Sequence, residues 1–105
     1  MDKRFKLTYL IDIYGGLLTE KQQDILNMHL NEDLSLSEIA KSENISRQAA
    51  FDLVKRSENL LLNYDEKLNL FERYIENKEM LEQIRALSEG NERINELIDK
   101  LIENI

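Results

Sequence analysis

One segment constrains the fold of this chain more than any other. Residues 36–56 read LSEIAKSENISRQAAFDLVKR, in which two stretches with helical apolar spacing are separated by a short polar interruption. Ala40 is small, as is needed where two packed helices cross. Asn44 tolerates the left-handed backbone with which a helix can end abruptly, and Ile45 can fill the space under the turn. These features at this spacing predict a helix-turn-helix unit.

Three helix starts are marked by polar side chains. Thr19 with Gln22, and Ser35 with Glu38, have the spacing of a capping box, in which each side chain bonds the other residue's backbone amide. Ser46 ends the turn and suits the N-cap of the next helix. We therefore expect helices to begin after Thr19, Ser35 and Ser46.

The composition favours helices in the whole chain. Its 105 residues include no proline and only three glycines, and two of these, Gly15-Gly16, lie where a first helix must end or bend. We expect an all-α fold. Helical spacing predicts these inward-facing residues, in chain order: Leu7, Leu10, Ile11, Tyr14, Leu17, Leu18, Ile25, Leu26, His29, Leu36, Ile39, Ala40, Ala49, Ala50, Leu53 and Val54.

The pattern changes at Asp65, which suggests a helix-turn-helix domain over 1–63 followed by amphipathic helices over 64–105. A long charged helix is expected first, then a break at Ser88–Asn91, then a last helix. The expected apolar stripes contain Leu68, Phe71, Ile75, Leu81, Ile84 and Leu87, and then Ile94, Leu97, Ile98, Leu101, Ile102 and Ile105. Isolated amphipathic helices are marginal in water, so these faces must pack on the domain or on another subunit. A twofold homodimer is the commonest solution.

The charge balance is acidic and uneven. The net charge is −7, which counts against a nucleic-acid binder, but residues 64–105 carry −5 of it and residues 46–56 carry +2. Cysteine is absent, which excludes disulfides and thiolate metal sites. No apolar run follows Met1 that would suit a signal peptide or a membrane span, so we expect a cytoplasmic protein.

The outer face of the second helix of the unit carries the candidate site. Arg47 can donate two hydrogen bonds to the edge of guanine, and Gln48 can pair with adenine. Phe51 can pack on a thymine methyl group, and Asp52 can accept a hydrogen bond from cytosine. The candidate phosphate contacts are Ser46, Lys55 and Arg56.

Other candidate sites have simpler explanations. His29, the only histidine, is expected to pack within a helix rather than to bind a metal. The Glu-rich tract 66–82 is interleaved with Lys and Arg and lacks the spacing of di-iron bundles, so a solvated face is expected. No phosphate loop, nucleophile motif or metal signature is present, and we expect no enzyme and no cofactor.

Several segments together resemble known proteins. LLTEKQ at 17–22, LSLSEIA at 34–40 and SRQA at 46–49 are similar to region 4 of bacterial sigma factors. With Tyr9–Tyr14 and the segment NYDEKL at 63–68, the chain resembles the YlxM/p13 family of small helix-turn-helix proteins of low-GC Gram-positive bacteria and mollicutes. That resemblance implies a sigma-region-4-like domain with a long C-terminal helix, and Ser46, Arg47 and Gln48 match the start of its recognition helix. It also implies, from gene neighbourhood, a part in the signal recognition particle pathway.

Three functions follow from these observations. The leading hypothesis is a dimeric regulatory protein that binds double-stranded DNA. The alternative is an interaction module that binds signal recognition particle components without reading DNA, which the net charge of −7 favours. The third is a helical adaptor whose only activity is self-association.

Overall fold

The computed structural model describes residues 2–104, and within them every regular element is helical. Met1 and Ile105, the last residue of the predicted C-terminal stripe, lie outside the described residues. The all-α prediction is confirmed. The helices are α1 (Lys3–Tyr14), α2 (Glu20–Leu26), α3 (Leu36–Glu43), α4 (Arg47–Leu68), α5 (Leu70–Leu87) and α6 (Glu92–Asn104).

The three predicted helix starts are confirmed. The Thr19 hydroxyl accepts from the Gln22 amide, and the Gln22 side chain accepts from the Thr19 amide, so α2 begins with a complete capping box. Ser35 and Glu38 form the same reciprocal pair at the start of α3, with both bonds at 3.1 Å. These bonds satisfy amides that have no partner inside a helix, which explains where the helices begin.

The turn between α3 and α4 has the geometry that the sequence predicts. Asn44 adopts the left-handed conformation, with φ 56° and ψ 46°. The Ile45 amide then donates to the Ala40 carbonyl at 2.9 Å, and the Asn44 amide donates to the Lys41 carbonyl. This pair of bonds ends α3 with a Schellman motif and places Ile45 against the core.

The four N-terminal helices enclose one core. Helix α4 packs against α1, α2 and α3. The cluster at its centre consists of Ile25, Ile39, Ala40, Ala50 and Val54, bordered by partly buried apolar side chains. Because Ala40 and Ala50 are both small and buried, α3 and α4 approach closely.

Two predicted core residues are exposed instead. Helix α1 ends at Tyr14 and continues as a 3₁₀ turn over Gly15–Leu17, after which Leu18 is extended and buried. Leu17 therefore points to solvent, since consecutive residues at a helix exit point in different directions. Ala49 is also exposed, because it lies about 100° around α4 from the buried Ala50.

The helix that begins after Thr19 is α-helical only to Leu26, and a π-helical turn over Asn27–Asn31 continues it. Arg4 of α1 donates to the His29 carbonyl at 2.8 Å and pairs with Asp33 at 2.7 Å. These contacts tie the connection between α2 and α3 to the start of α1.

The expected domain boundary at residue 63 falls inside α4. The chain divides into two compact units, Met1–Asn69 and Leu70–Ile105. Helix α4 ends only where Asn69 becomes left-handed and its amide donates to the Asp65 carbonyl at 2.7 Å. The single long helix expected from Asp65 is thus interrupted at Asn69, and Leu61 and Asp65 are buried in the first unit.

The second unit is a helical hairpin. The break predicted at Ser88–Asn91 is confirmed, with Gly90 at φ 72° and the Asn91 side chain capping α6. Arg85 of α5 pairs with Asp99 of α6 at 2.6 Å. Ile98 is buried, while other members of the predicted stripes stay substantially exposed, including Ile84, Leu87, Leu97 and Leu101.

Candidate nucleic-acid interface

The start of α4 has the form of an anion-binding helix N-terminus. The Ser46 hydroxyl accepts from the Ala49 amide at 3.0 Å, and the Ser46 carbonyl accepts from the Ala50 amide. The amides of Arg47 and Gln48 belong to the first turn, where a helix supplies no internal acceptor. Amides of this kind, at the positive end of a helix dipole, suit a phosphate oxygen.

The seven candidate site residues all lie on the solvent side of α4. Ser46, Arg47, Gln48, Asp52, Lys55 and Arg56 are exposed, and Phe51 is 40% exposed although it is aromatic. Their spacing is compatible with one broad outer surface. Arg56 lies about 100° around the helix from Lys55 but only about 40° from Asp52, one turn earlier, so it shares this surface.

Two of the predicted base-reading residues contact each other. The Gln48 amide group donates to the Asp52 carboxylate at 3.0 Å. This bond links consecutive turns on the exposed face and holds both side chains in place. The pairing of Gln48 with adenine would therefore compete with its bond to Asp52.

The cations of this face differ in their surroundings. The Lys55 ammonium lies 5.9 Å from the centre of the Phe51 ring and 3.9 Å from the Glu58 carboxylate. Arg47 and Arg56 form no ion pair with any residue of the described part of the chain. Arg47 and Arg56 are thus the cations of this helix with guanidinium groups available to an anion.

A cavity that the sequence did not predict lies beside the outer face of α4. It has a volume of about 390 Å³ and is bordered by the start of α1, the π-helical turn, α3 and α4. Phe51 and Lys55 line it, together with Leu36, Val54 and the buried Glu58. The sequence did contain a signal for this cavity. Ala50, Val54 and Glu58 follow one another at four-residue steps on the same face of α4, and Glu58 is the charged residue among them.

The described residues offer neither a metal site nor a membrane span. Between residues 2 and 104, no group of three or more His, Asp or Glu side chains is arranged to hold a metal ion. No helix within the same range is long and apolar enough to cross a membrane. His29 is half-buried in the π-helical turn, in agreement with the packing role expected for it.

Comparison with known proteins identifies the family. Residues 1–101 match a family described as UPF0122, "Putative helix-turn-helix protein, YlxM / p13 like". The chain belongs to the UPF0122 family. The resemblance to the YlxM/p13 family is thereby confirmed, and the description names a helix-turn-helix protein.

UPF0122 relatives match over nearly their whole length. A UPF0122 protein of Clostridium perfringens strain 13 is 44% identical, covering all of this chain and 97% of the relative. One from Bacillus licheniformis is 41% identical over 96% of this chain and 94% of its own length. A third, from Bacillus cereus strain AH187, is 36% identical over the full chain and 96% of its own length.

Proposed function

We propose that this UPF0122 protein binds double-stranded DNA through α4 and acts as a regulatory protein in the bacterial cytoplasm. The observation that carries the proposal is the outer face of α4. There a hydrogen-bonded helix-turn-helix presents Arg47 and Gln48 to solvent at the helix start, in a segment with net charge +2. The N-terminal residues of a recognition helix are those that reach base edges in the major groove.

The side chains divide into two roles. Arg47, Gln48, Phe51 and Asp52 contact base edges, with Arg47 as the main discriminating group because it has no competing ion pair. The phosphate contacts are made by Ser46 with the adjacent amides of α4, and by Lys55 and Arg56. The acidic remainder of the chain weakens non-specific binding, so recognition depends on these local contacts.

Two copies of the chain read the DNA together. The hairpin of α5 and α6 contains an apolar cavity of about 290 Å³, lined by Asn77, Met80, Leu81, Ile84 and Leu101. Several of these side chains are more than 40% exposed, which is unfavourable for a hairpin that stands alone. A second copy presenting the same face completes a four-helix arrangement and buries the apolar surface of both hairpins.

Selection of randomised duplex DNA on the purified protein at low salt tests the proposal. The parent chain should enrich a motif, and Arg47→Ala should lose preference at one base position at a cost of about 1–3 kcal/mol. Arg93→Ala in α6 is the matched control, since Arg93 is an exposed arginine outside α4. The DNA role is wrong if nothing is enriched, and the role of Arg47 is wrong if its variant selects the same motif equally well.

A second candidate function is docking to components of the signal recognition particle. The acidic surface of α5 favours it, since Glu72, Glu76 and Glu79 are all exposed and residues 64–105 carry most of the negative charge. Reversal of these three charges to lysine should abolish binding to purified particle and leave duplex binding unchanged or stronger. Unchanged particle binding by this variant would contradict docking through α5.

A further inference from the structure

The cavity beside α4 has the size of a small-molecule site. Its volume of about 390 Å³ lies within the range in which proteins bind small organic ligands. Its apolar part includes Leu7, Leu30, Leu36 and Val54, which come from α1, the π-helical turn, α3 and α4. A ligand there would contact α1 and α3, two of the three helices that pack against α4.

Glu58 is the most unusual group in this cavity. It is only 7% exposed, yet its carboxylate forms no hydrogen bond with any residue between 2 and 104. The Lys55 ammonium, at 3.9 Å, lies beyond hydrogen-bond distance and is itself half exposed. A largely buried carboxylate is costly unless hydrogen-bond donors satisfy it, so a donor that enters this cavity gains a favourable contact with Glu58.

A second polar residue lines the same cavity. The Nδ1 atom of His29 is buried and has no hydrogen-bond partner among the described residues. A carboxylate is an acceptor only, so Glu58 can pair only with a donor. The cavity therefore combines an apolar lining with a carboxylate that requires a donor.

We propose that this cavity binds a small organic cation, an ammonium group on an apolar body. The ammonium group donates to Glu58, the body packs on Leu36 and Val54, and the Phe51 ring provides a face that attracts positive charge. The combination of one buried charge with an apolar lining is what such a ligand requires.

The two cations at the start of α1 do not favour an anion in this cavity. Arg4 is already bonded to the His29 carbonyl and paired with Asp33. Lys3 is exposed, and exposed charges are screened by water and salt. Glu58 is the deeply buried charge, and it would repel an anion placed against the apolar lining.

The site shares two residues with the proposed DNA surface. Phe51 and Lys55 line the cavity and also lie on the outer face of α4. A cation bound to Glu58 replaces Lys55 as its partner and leaves the Lys55 charge for a phosphate. This coupling rests on the proposed function and predicts that the cation strengthens duplex binding, whereas binding of the cation itself requires no DNA.

Nuclear magnetic resonance titration of the isotope-labelled full chain, without DNA, tests the site. The probes are 2-phenylethylammonium, the neutral 2-phenylethanol and the anionic 3-phenylpropanoate, which share a phenyl ring and a short chain. The ammonium probe should shift the amide signals of Phe51, Val54 and Glu58 and bind on the order of tenfold more tightly than the other two.

Glu58→Gln should abolish that preference, and Glu66→Gln, at an exposed position of α4, should keep it. Equal binding of the three probes, tighter binding of the anion, or an unchanged preference in Glu58→Gln would each overturn the proposal. No shift with any probe would mean that the cavity holds only water, which would also overturn it. Because the probe comparison uses the unmodified chain, misfolding of a variant cannot decide the result.

Discussion

The Tyr14 hydroxyl donates to the Asp65 carboxylate at 2.8 Å, and both residues are buried. The bond joins the last residue of α1 to the last turn of α4, 51 positions further along the chain. Lys6 approaches the other carboxylate oxygen of Asp65 at 3.5 Å. The carboxylate thus anchors the far end of the recognition helix to the first helix of the domain.

Tyr14→Phe should lower the free energy of unfolding by about 1–3 kcal/mol, because it removes a donor from a buried carboxylate and adds no new contact. Tyr64→Phe is the matched control, since the Tyr64 hydroxyl forms no hydrogen bond with a described residue, and it should change stability by less than about 0.5 kcal/mol. Urea unfolding measures both variants. Equal stabilities for the two would show that the bond to Asp65 contributes nothing.

Asn44→Ala should destabilise the domain by about 1–2 kcal/mol, because Asn44 has φ 56° and alanine tolerates the left-handed region poorly. Asn44→Gly should be close to neutral, since glycine removes the strain but has more freedom in the unfolded chain. Asn63→Ala, at an exposed position within α4, is the control for loss of an asparagine side chain. Equal free energies of unfolding for Asn44→Ala and Asn44→Gly, measured with denaturant, would contradict the role of the left-handed turn geometry.

The capping box of α3 should make stability depend on pH. The Ser35 backbone amide, which donates to the Glu38 carboxylate, is the main cause of a pKa of Glu38 below its usual value of 4.5, and the Ser35 side chain adds to it. A lowered pKa means that the folded state favours the ionised form, so this contribution is present above about pH 4.5 and is lost as the pH falls through the lower folded-state pKa.

Unfolding of the parent and of Glu38→Gln at a series of pH values measures that contribution. The parent should be the more stable of the two near neutral pH, and the difference should shrink in acid. In a Ser35→Ala background, the effect of Glu38→Gln on stability should depend less on pH, because the contribution of the Ser35 side chain to the lowered pKa of Glu38 is lost while that of the Ser35 backbone amide remains. A difference that stays constant from neutral to acidic pH would contradict the role of the carboxylate.

Asp52→Asn should strengthen duplex binding, because it removes a negative charge from the outer face of α4 and keeps an acceptor for Gln48. We expect a dissociation constant about fivefold lower at low salt, with the gain shrinking as salt screens the charge. Asp24→Asn, exposed in α2, should leave binding unchanged. Fluorescence anisotropy with a selected duplex measures the effect. Weaker binding by Asp52→Asn would show that the charged acceptor at the base edge contributes more to binding than its repulsion of the phosphates costs.

Leu101→Glu should convert the proposed dimer to monomers. Leu101 is 51% exposed and lines the apolar cavity of the hairpin. A charge there should therefore change the stability of the single chain little, whereas burying it in a dimer interface should strongly weaken the dimer. Leu17→Glu is the matched control, since Leu17 is 59% exposed in the first unit. Analytical ultracentrifugation reports the mass, and circular dichroism checks that the helices persist. A parent chain that is already monomeric would refute dimerisation.

Much of the first unit was predictable because its signals are local. The capping boxes and the left-handed Asn44 each act over a few residues, and the bonds found at Thr19 and Ser35 are those that their spacing predicts. The predictions at Leu17 and Ala49 were wrong for a related reason. Periodicity assumes that a helix continues and that its buried face keeps the same width, whereas α1 ends at Tyr14 and, in the first turn of α4, Ala50 is buried but Ala49 is exposed.

Part of the candidate site was likewise predictable from local sequence, and part was not. Its outer-face residues follow from helical spacing, and the structure places all of them on the exposed side of α4. The cavity lined by Glu58 was not predicted, because it forms where α1, the π-helical turn, α3 and α4 meet. The contacts of Gln48 with Asp52 and of Lys55 with Glu58 depend on side-chain rotamers, which spacing does not specify.

The sequence by itself determined the helical class, the helix starts, the turn and the face of α4 that meets solvent, because caps, left-handed residues and 3.6-residue periodicity act through neighbours in the chain. Only the tertiary structure decided that Asp65 and Glu58 are buried. The burial of a charged side chain depends on partners far away in sequence. Tyr14, 51 residues before Asp65, is such a partner.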